Sequence, residues 1–212
     1  MVRARRTVFD AGLYAPIIDA VAARVAAAHP VDVLDAGCGE GSYLARAAER
    51  SGARAWGIDI SKAAVRLAAR RHREHRFAVA SSYHLPFADG SFDALIDVFS
   101  PRPFAELLRV LVPGGVAVVV TPGARHLAQL KALIYDDPRE HAEPSDTEDD
   151  GAPEPESTER VEFTVDLSDA VLRLALLEMT PYWWSTTPER RERIAATPLA
   201  VDVDMVLRAY RR

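Results

Sequence analysis

Short apolar runs alternate with amphipathic stretches through the first 125 positions of the chain. Residues 31–36, 54–58, 77–80, 92–99 and 116–121 read as strands, because each run is short, apolar and bounded by glycine or polar residues. The last of these is nearly all valine, as a strand buried on both faces requires. Residues 12–28, 41–50, 61–71 and 104–111 carry the helical period, with Pro16 in the first turns of one helix and Ser61 as N-cap of another. Ala88-Asp89-Gly90-Ser91 makes a turn before the fourth strand, and Val112-Pro113-Gly114-Gly115 closes the helix before the fifth. Strands and helices in this alternation imply βαβ units and a mostly parallel sheet with helices on both faces.

The pattern changes after Arg125. Residues 126–135, 168–179 and 188–195 are expected to be helical, with Ser168 or Asp169 as cap of the second. Residues 160–167 and 201–210 alternate as strands do, so the sheet should end in an antiparallel C-terminal strand. Between them, residues 136–159 hold prolines, Ser, Thr and many carboxylates with almost nothing apolar, and are expected to form a mobile acidic loop. The expectation is one domain over residues 1–212, with residues 1–29 as an N-terminal helical segment and no internal repeat.

A formal charge of -5 argues against indiscriminate attraction to nucleic acid, though a local basic patch remains compatible. Cys38 is the sole cysteine, which excludes an internal disulfide and argues against a cysteine-built zinc site, so no metal is expected. No apolar run is long enough for a membrane span, and no apolar segment follows the arginines of residues 1–10 as a secretory signal would need. A cytoplasmic location without membrane contact is expected; the oligomeric state is not legible.

The chemistry concentrates at Val33-Leu34-Asp35-Ala36-Gly37-Cys38-Gly39-Glu40-Gly41. A strand runs into glycines that open a helix, where positive φ and close ligand approach are possible. Asp59 ends the second strand about twenty residues later, the place of a ribose-binding carboxylate. Dinucleotide enzymes fit a pyrophosphate at this turn, and Asp35 just before it would repel one. The same carboxylate suits the ammonium of S-adenosyl-L-methionine, which is therefore the expected cofactor. Ser81 and Ser82 follow the third strand, where they either hydrogen-bond an adenine edge or form a plain polar loop. Asp93 reads as a cap or turn residue, and Cys38 as a small side chain that fits its turn.

These residues resemble class I methyltransferases, which implies a Rossmann-like α/β fold. Further segments sharpen the resemblance: Ala4-Arg5-Arg6-x-x-Phe9-Asp10-Ala11-Gly12-x-Tyr14, Ala80-Ser81-Ser82-x-x-Leu85-Pro86-Phe87, Thr121-Pro122-Gly123-x-Arg125-His126-Leu127, Leu130-Lys131-x-Leu133-Ile134-Tyr135 and Met179-Thr180-Pro181-Tyr182-x-Trp184-x-x-x-Pro188-Glu189. Together they are similar to the RlmA family, which methylates N1 of a guanine in large-subunit ribosomal RNA. The resemblance implies Tyr14, Gly39, Glu40 and His126 as cofactor contacts, beside Asp35, Gly37, Asp59, Ser81 and Ser82. Family members carry an N-terminal zinc finger with four metal ligands; with Cys38 as its one cysteine, this chain is expected to lack it.

Ribosomal RNA is thus the expected partner, with a small molecule such as an antibiotic as the alternative acceptor. Phe99-Ser100-Pro101 faces the donor methyl in such a fold. Tyr182, Trp183 and Trp184 either stack on a base or pack a lid onto the core. Lys62, Arg66, Arg70, Arg71, Arg73 and Arg76 form either a phosphate-meeting helix or a solvated face. Asp97 and His84 lie near the acceptor end, but neither is assigned as a catalytic base, and the catalytic group stays unidentified.

Overall fold

The computed structural model describes residues 1–136 and 152–212. A seven-stranded sheet runs through the protein in the order β3-β2-β1-β4-β5-β7-β6. The parallel part comprises β1 (Asp32–Ala36), β2 (Arg54–Asp59), β3 (Arg76–Val79), β4 (Phe92–Val98) and β5 (Leu111–Pro122). The helices α3 (Ser42–Ser51), α4 (Lys62–Arg71) and α5 (Phe104–Arg109) connect these strands. The chain winds outward from β1 to β3 and then returns to β4 on β1's other side. That reversal opens a crevice at the carboxyl ends of β1 and β4, the general ligand position in such sheets.

The antiparallel portion is two strands, β6 (Ser157–Leu167) and β7 (Leu199–Arg211), which contain the two strands expected at 160–167 and 201–210. β7 lies between β5 and β6 and is buried along most of its length. Residues 157–159, assigned to the acidic loop from composition, belong to β6, where Ser157 pairs with Ala209 and Glu159 with Leu207. Their polar side chains sit at the solvent-facing edge of the sheet, so the backbone pairing is invisible to an apolar count. Glu156 is tied as well, by Arg211 and Arg24. At the loop's other boundary, Asp136 pairs with Arg190 at 2.8 Å. Residues 137–151 of that expected loop lie outside the described residues.

The N-terminal segment is two helices, α1 (Val2–Asp10) and α2 (Ala15–Ala26). Gly12, at φ +73°, lies between them, and the helix expected from residue 12 starts at Ala15. Helix α1 buries Ala4 and Val8 and leans on α7 (Ala170–Met179). Its terminal ammonium reaches Glu178 at 2.9 Å, and Asp10 pairs with Arg71 of α4. Asp169 caps α7 through the Val171 amide, as one of the two expected caps, and Ser61 caps α4 through Ala64. The remaining elements are α6 (Ala128–Ile134), a 3₁₀ turn (Pro181–Ser185) and α8 (Pro188–Ala196).

Helix α5 stops at Arg109, two residues early, because Leu111 already pairs with Phe92. The ladder shifts register between Phe92 and Ala94. Two apolar clusters flank the sheet, one under α1–α3, α6 and α7 and the other under α5. Among the described residues no helix is long and apolar enough to cross a membrane.

Candidate active site

The carboxyl ends of β1, β2 and β4 surround an open cleft of about 290 Å³. Gly37, Gly39, Asp59, Ser81 and Ser82 line it, together with Arg5, Ile60, Tyr83, Phe99 and Ser100. The backbone explains the glycines. Gly37, Gly39 and Gly41 all hold positive φ, and a Cβ on Gly37 would collide with the Ser100 side chain. The turn is pinned to β2 by the amides of Gly37 and Cys38, which both donate to the Ile58 carbonyl at 2.8 Å.

Asp59 fastens the same turn. Its Oδ2 accepts the Gly39 amide at 2.9 Å and its Oδ1 accepts the Ser61 amide at 2.8 Å. A carboxylate offers about four acceptor sites, so the two amides leave capacity for two ribose hydroxyls. Glu40 is buried and turns back on α3, with Oε1 accepting the Ser42 amide at 3.2 Å. A negative charge thus already sits at this helix N-terminus, which disfavours a pyrophosphate there.

Asp35 is 2% exposed, and its Oδ2 has no hydrogen-bond partner; the same holds for Glu40 Oε2. Burial pushes the Asp35 carboxyl from the ordinary 3.8 up to about 8; Arg5 opposes the shift, and the charges of Asp59 and Glu40 add to it. Two orphaned carboxylate oxygens beside a glycine turn fit a ligand that brings an ammonium group. S-adenosylmethionine has one, and its sulfonium supplies the transferable methyl.

A pH effect follows. The folded protein keeps the Asp35 proton between about pH 4 and 8, where the unfolded chain releases it. Stability from this group therefore falls as pH rises through that window. Asp35→Asn should leave the melting temperature of the donor-free protein unchanged near pH 4. Above pH 8 it should raise stability by at least ~1 kcal/mol, about 2–4 °C for a chain of this size. Melting curves of both proteins at the two pH values check this, and a pH-independent difference would contradict it.

Tyr14 and His126 pack among other rings near the cleft. Tyr14 is buried, 5.5 Å from the Phe9 ring and 6.4 Å from Phe163. His126 is buried too; its Nδ1 accepts the Asp204 amide at 3.4 Å, and its ring stacks at 6.0 Å on Phe99. Each thus touches a residue beside the cleft: Phe9 carries the Arg5 guanidinium at 4.8 Å, and Phe99 lines the cleft itself. Ser81 Oγ accepts the Tyr83 amide at 3.2 Å, and Ser82 Oγ reaches the Pro101 carbonyl at 3.5 Å. Both serines bound the cleft while also shaping the 81–84 turn.

Asp97 is fully buried in β4, His84 is exposed, and Asp93 accepts the amides of Val31 and Asp32, as a turn residue does. Cys38 is buried against Gly57. Of the aromatic trio, Tyr182 meets Tyr135 edge-on, Trp183 carries Arg191 at 3.9 Å, and Trp184 is 75% exposed. In the basic stretch Arg71 is held by Asp10 and Arg76 covers Trp56, while Lys62, Arg66, Arg70 and Arg73 face solvent.

Two residues escaped the sequence reading. Arg5 lines the cleft from α1, a helix not delineated beforehand. Asp204, in β7, organises the Thr121–His126 motif from the far end of the chain. Its carboxylate takes the Arg125 amide and the Arg160 guanidinium, and its carbonyl takes the Gly123 amide at 2.8 Å. Burial raises the Asp204 carboxyl, but these donors outweigh it and hold the group below its ordinary value. A Cβ on Gly123 would overlap that carboxylate. A carboxylate between apolar neighbours in β7, Val203 and Met205, was the available signal.

The methyltransferase-domain family matches residues 33–115, the segment from β1 into the start of β5. The 23S rRNA (guanine(748)-N(1))-methyltransferase of Streptomyces fradiae is 40% identical over 209 residues, spanning 93% of this chain and 74% of that protein. This chain belongs to the 23S rRNA guanine-N1 methyltransferase family. The methyltransferase uses S-adenosylmethionine as donor. A demethylmenaquinone methyltransferase of Thermus thermophilus is 39% identical, but only over 103 residues, 43% of this chain and 47% of that protein. YcgJ of Bacillus subtilis superimposes with a TM-score of 0.59 at 17% identity, over 85% of this chain and 91% of that one, and so shares the fold.

Proposed function

We propose that this methyltransferase transfers the methyl group to N1 of a guanine in large-subunit ribosomal RNA. The observation that carries the reading is the extent of similarity. Likeness to the Streptomyces fradiae guanine-N1 enzyme continues over 93% of the chain, whereas likeness to the quinone methyltransferase covers 43%. An acceptor-specific relationship should extend beyond the donor half, and only the first does.

In this reading Asp59 holds the ribose hydroxyls, and Asp35 and Glu40 attract the ammonium through their orphaned oxygens. Gly37 and Gly39 let the donor approach the backbone, and Ser81 and Ser82 bound the adenine side. Tyr14 and His126 act from behind, by supporting Phe9 and Phe99. The guanine stacks on Phe99 at the cleft mouth. Transfer is an in-line displacement, so alignment of donor and N1 at near-attack distance is the main task. The exposed lysine and arginines of α4 and Trp184 supply contacts for phosphate and base beyond the cleft.

Mass mapping of ribosomal RNA from cells with and without the gene tests the proposal. One 1-methylguanine in the large-subunit RNA should disappear with the gene and return on complementation. Identical methylation in both strains would overturn it and favour a small-molecule acceptor.

A further inference from the structure

The cleft is unbalanced in charge. Asp35, Glu40 and Asp59 gather around the glycine turn, and all three are acceptors suited to the cationic and hydroxyl groups of the donor. The donor also carries an α-carboxylate, for which these three residues offer no cation. Arg5 is the one cationic residue lining the cleft among the described residues. Its Nε is buried without a hydrogen-bond partner. The guanidinium lies over Phe9 at 4.8 Å and Tyr43 at 5.9 Å, which fixes its plane while leaving its edge uncommitted. Its Nε, Cζ and Nη2 lie 3.4, 3.5 and 3.8 Å from where a Cβ on Gly39 would stand. A Cβ at Gly39 would thus stand in ordinary contact with the guanidinium, which lies directly over the turn.

We infer that Arg5 is the donor's carboxylate-binding residue: α1 places its guanidinium over Gly39 to pair with the methionine carboxylate of S-adenosylmethionine. Guanidinium and carboxylate match in planar, two-point geometry. The arrangement sorts the zwitterionic end of the donor, with the ammonium toward Asp35 and Glu40 and the carboxylate toward Arg5. It also ties donor binding to α1, which packs on α7 and is anchored to α4 through Arg71. The inference rests on the cofactor seat and is independent of the acceptor.

Calorimetry with three ligands tests it. S-adenosylhomocysteine has the carboxylate and ammonium, decarboxylated S-adenosylmethionine lacks only the carboxylate from the donor, and 5′-methylthioadenosine lacks the whole amino-acid end. Arg5→Gln should weaken S-adenosylhomocysteine at least tenfold and leave methylthioadenosine within twofold. Decarboxylated donor should bind the variant at least as well as it binds the wild type, because a repelling cation is gone. Arg5→Lys should restore part of the loss.

If Arg5 merely neutralises the acidic cluster, the variant would hold S-adenosylhomocysteine with unchanged affinity, and the inference falls. Equal weakening of all three ligands would mean a general disturbance of the cleft and would also overturn it. Should Asp59→Ala abolish binding while Arg5→Gln does not alter it, the donor seat stands and the Arg5 assignment alone fails.

Discussion

Asp59→Ala lowers the affinity for S-adenosylmethionine at least a hundredfold. Two hydrogen bonds from ribose hydroxyls to a carboxylate, at ~1.5 kcal/mol or more each, total ~3 kcal/mol, beyond two powers of ten in affinity. The same carboxylate accepts the amides of Gly39 and Ser61, so its removal also frees the turn on which the donor rests. Asp59→Asn keeps the shape but turns one acceptor into a donor facing an amide, and should lose nearly as much. Calorimetry gives the affinity, and a melting curve of each variant without ligand separates lost binding from lost fold. An affinity within threefold of wild type would remove Asp59 from the site.

Phe99→Ala lowers kcat/KM toward an RNA hairpin about 5- to 150-fold, with donor affinity changed less than twofold. Phe99 has φ +56° just past the end of β4, a conformation that costs a bulky residue energy unless its surroundings impose it. Its amide is tied to the Val120 carbonyl at 3.2 Å, and His126 stacks on its ring. The ring is nevertheless 43% exposed at the cleft. A strained, supported and exposed aromatic is placed to receive a flat partner. Stacking of a base on an aromatic contributes about 1–3 kcal/mol, which sets the expected range. Phe99→Trp should retain most of the activity. Equal losses for donor binding and turnover would show that Phe99 shapes the donor seat instead.

The centre of the parallel half was legible because β1, β4 and β5 are buried along most of their length, and burial writes itself as runs of valine, leucine and isoleucine. The donor turn was legible for a related reason: Gly37, Gly39 and Gly41 are positions where backbone conformation dictates composition. What was not legible depends on partners far away in sequence. Residues 157–159 are polar, and only their pairing with residues 207–209 makes them strand. Tyr14 packs on Phe9 and His126 on Phe99, contacts that no spacing in the sequence encodes. Arg5 looked like one of several N-terminal arginines. Its place in the cleft is set by α1 docking on α7, a contact across most of the chain. Asp204 likewise acts on Gly123 and Arg125 from a strand that returns only at the end of the fold.

The most direct test of the account is transfer in a purified system. The protein would be incubated with methyl-labelled S-adenosylmethionine and protein-free large-subunit ribosomal RNA from cells lacking the gene, beside the Asp59→Ala variant. The RNA would then be digested to nucleosides and resolved by mass spectrometry. The account predicts label in 1-methylguanosine alone, at close to one per RNA, with the variant at background. Label in another nucleoside, or no transfer to RNA by a protein that binds the donor normally, would contradict it.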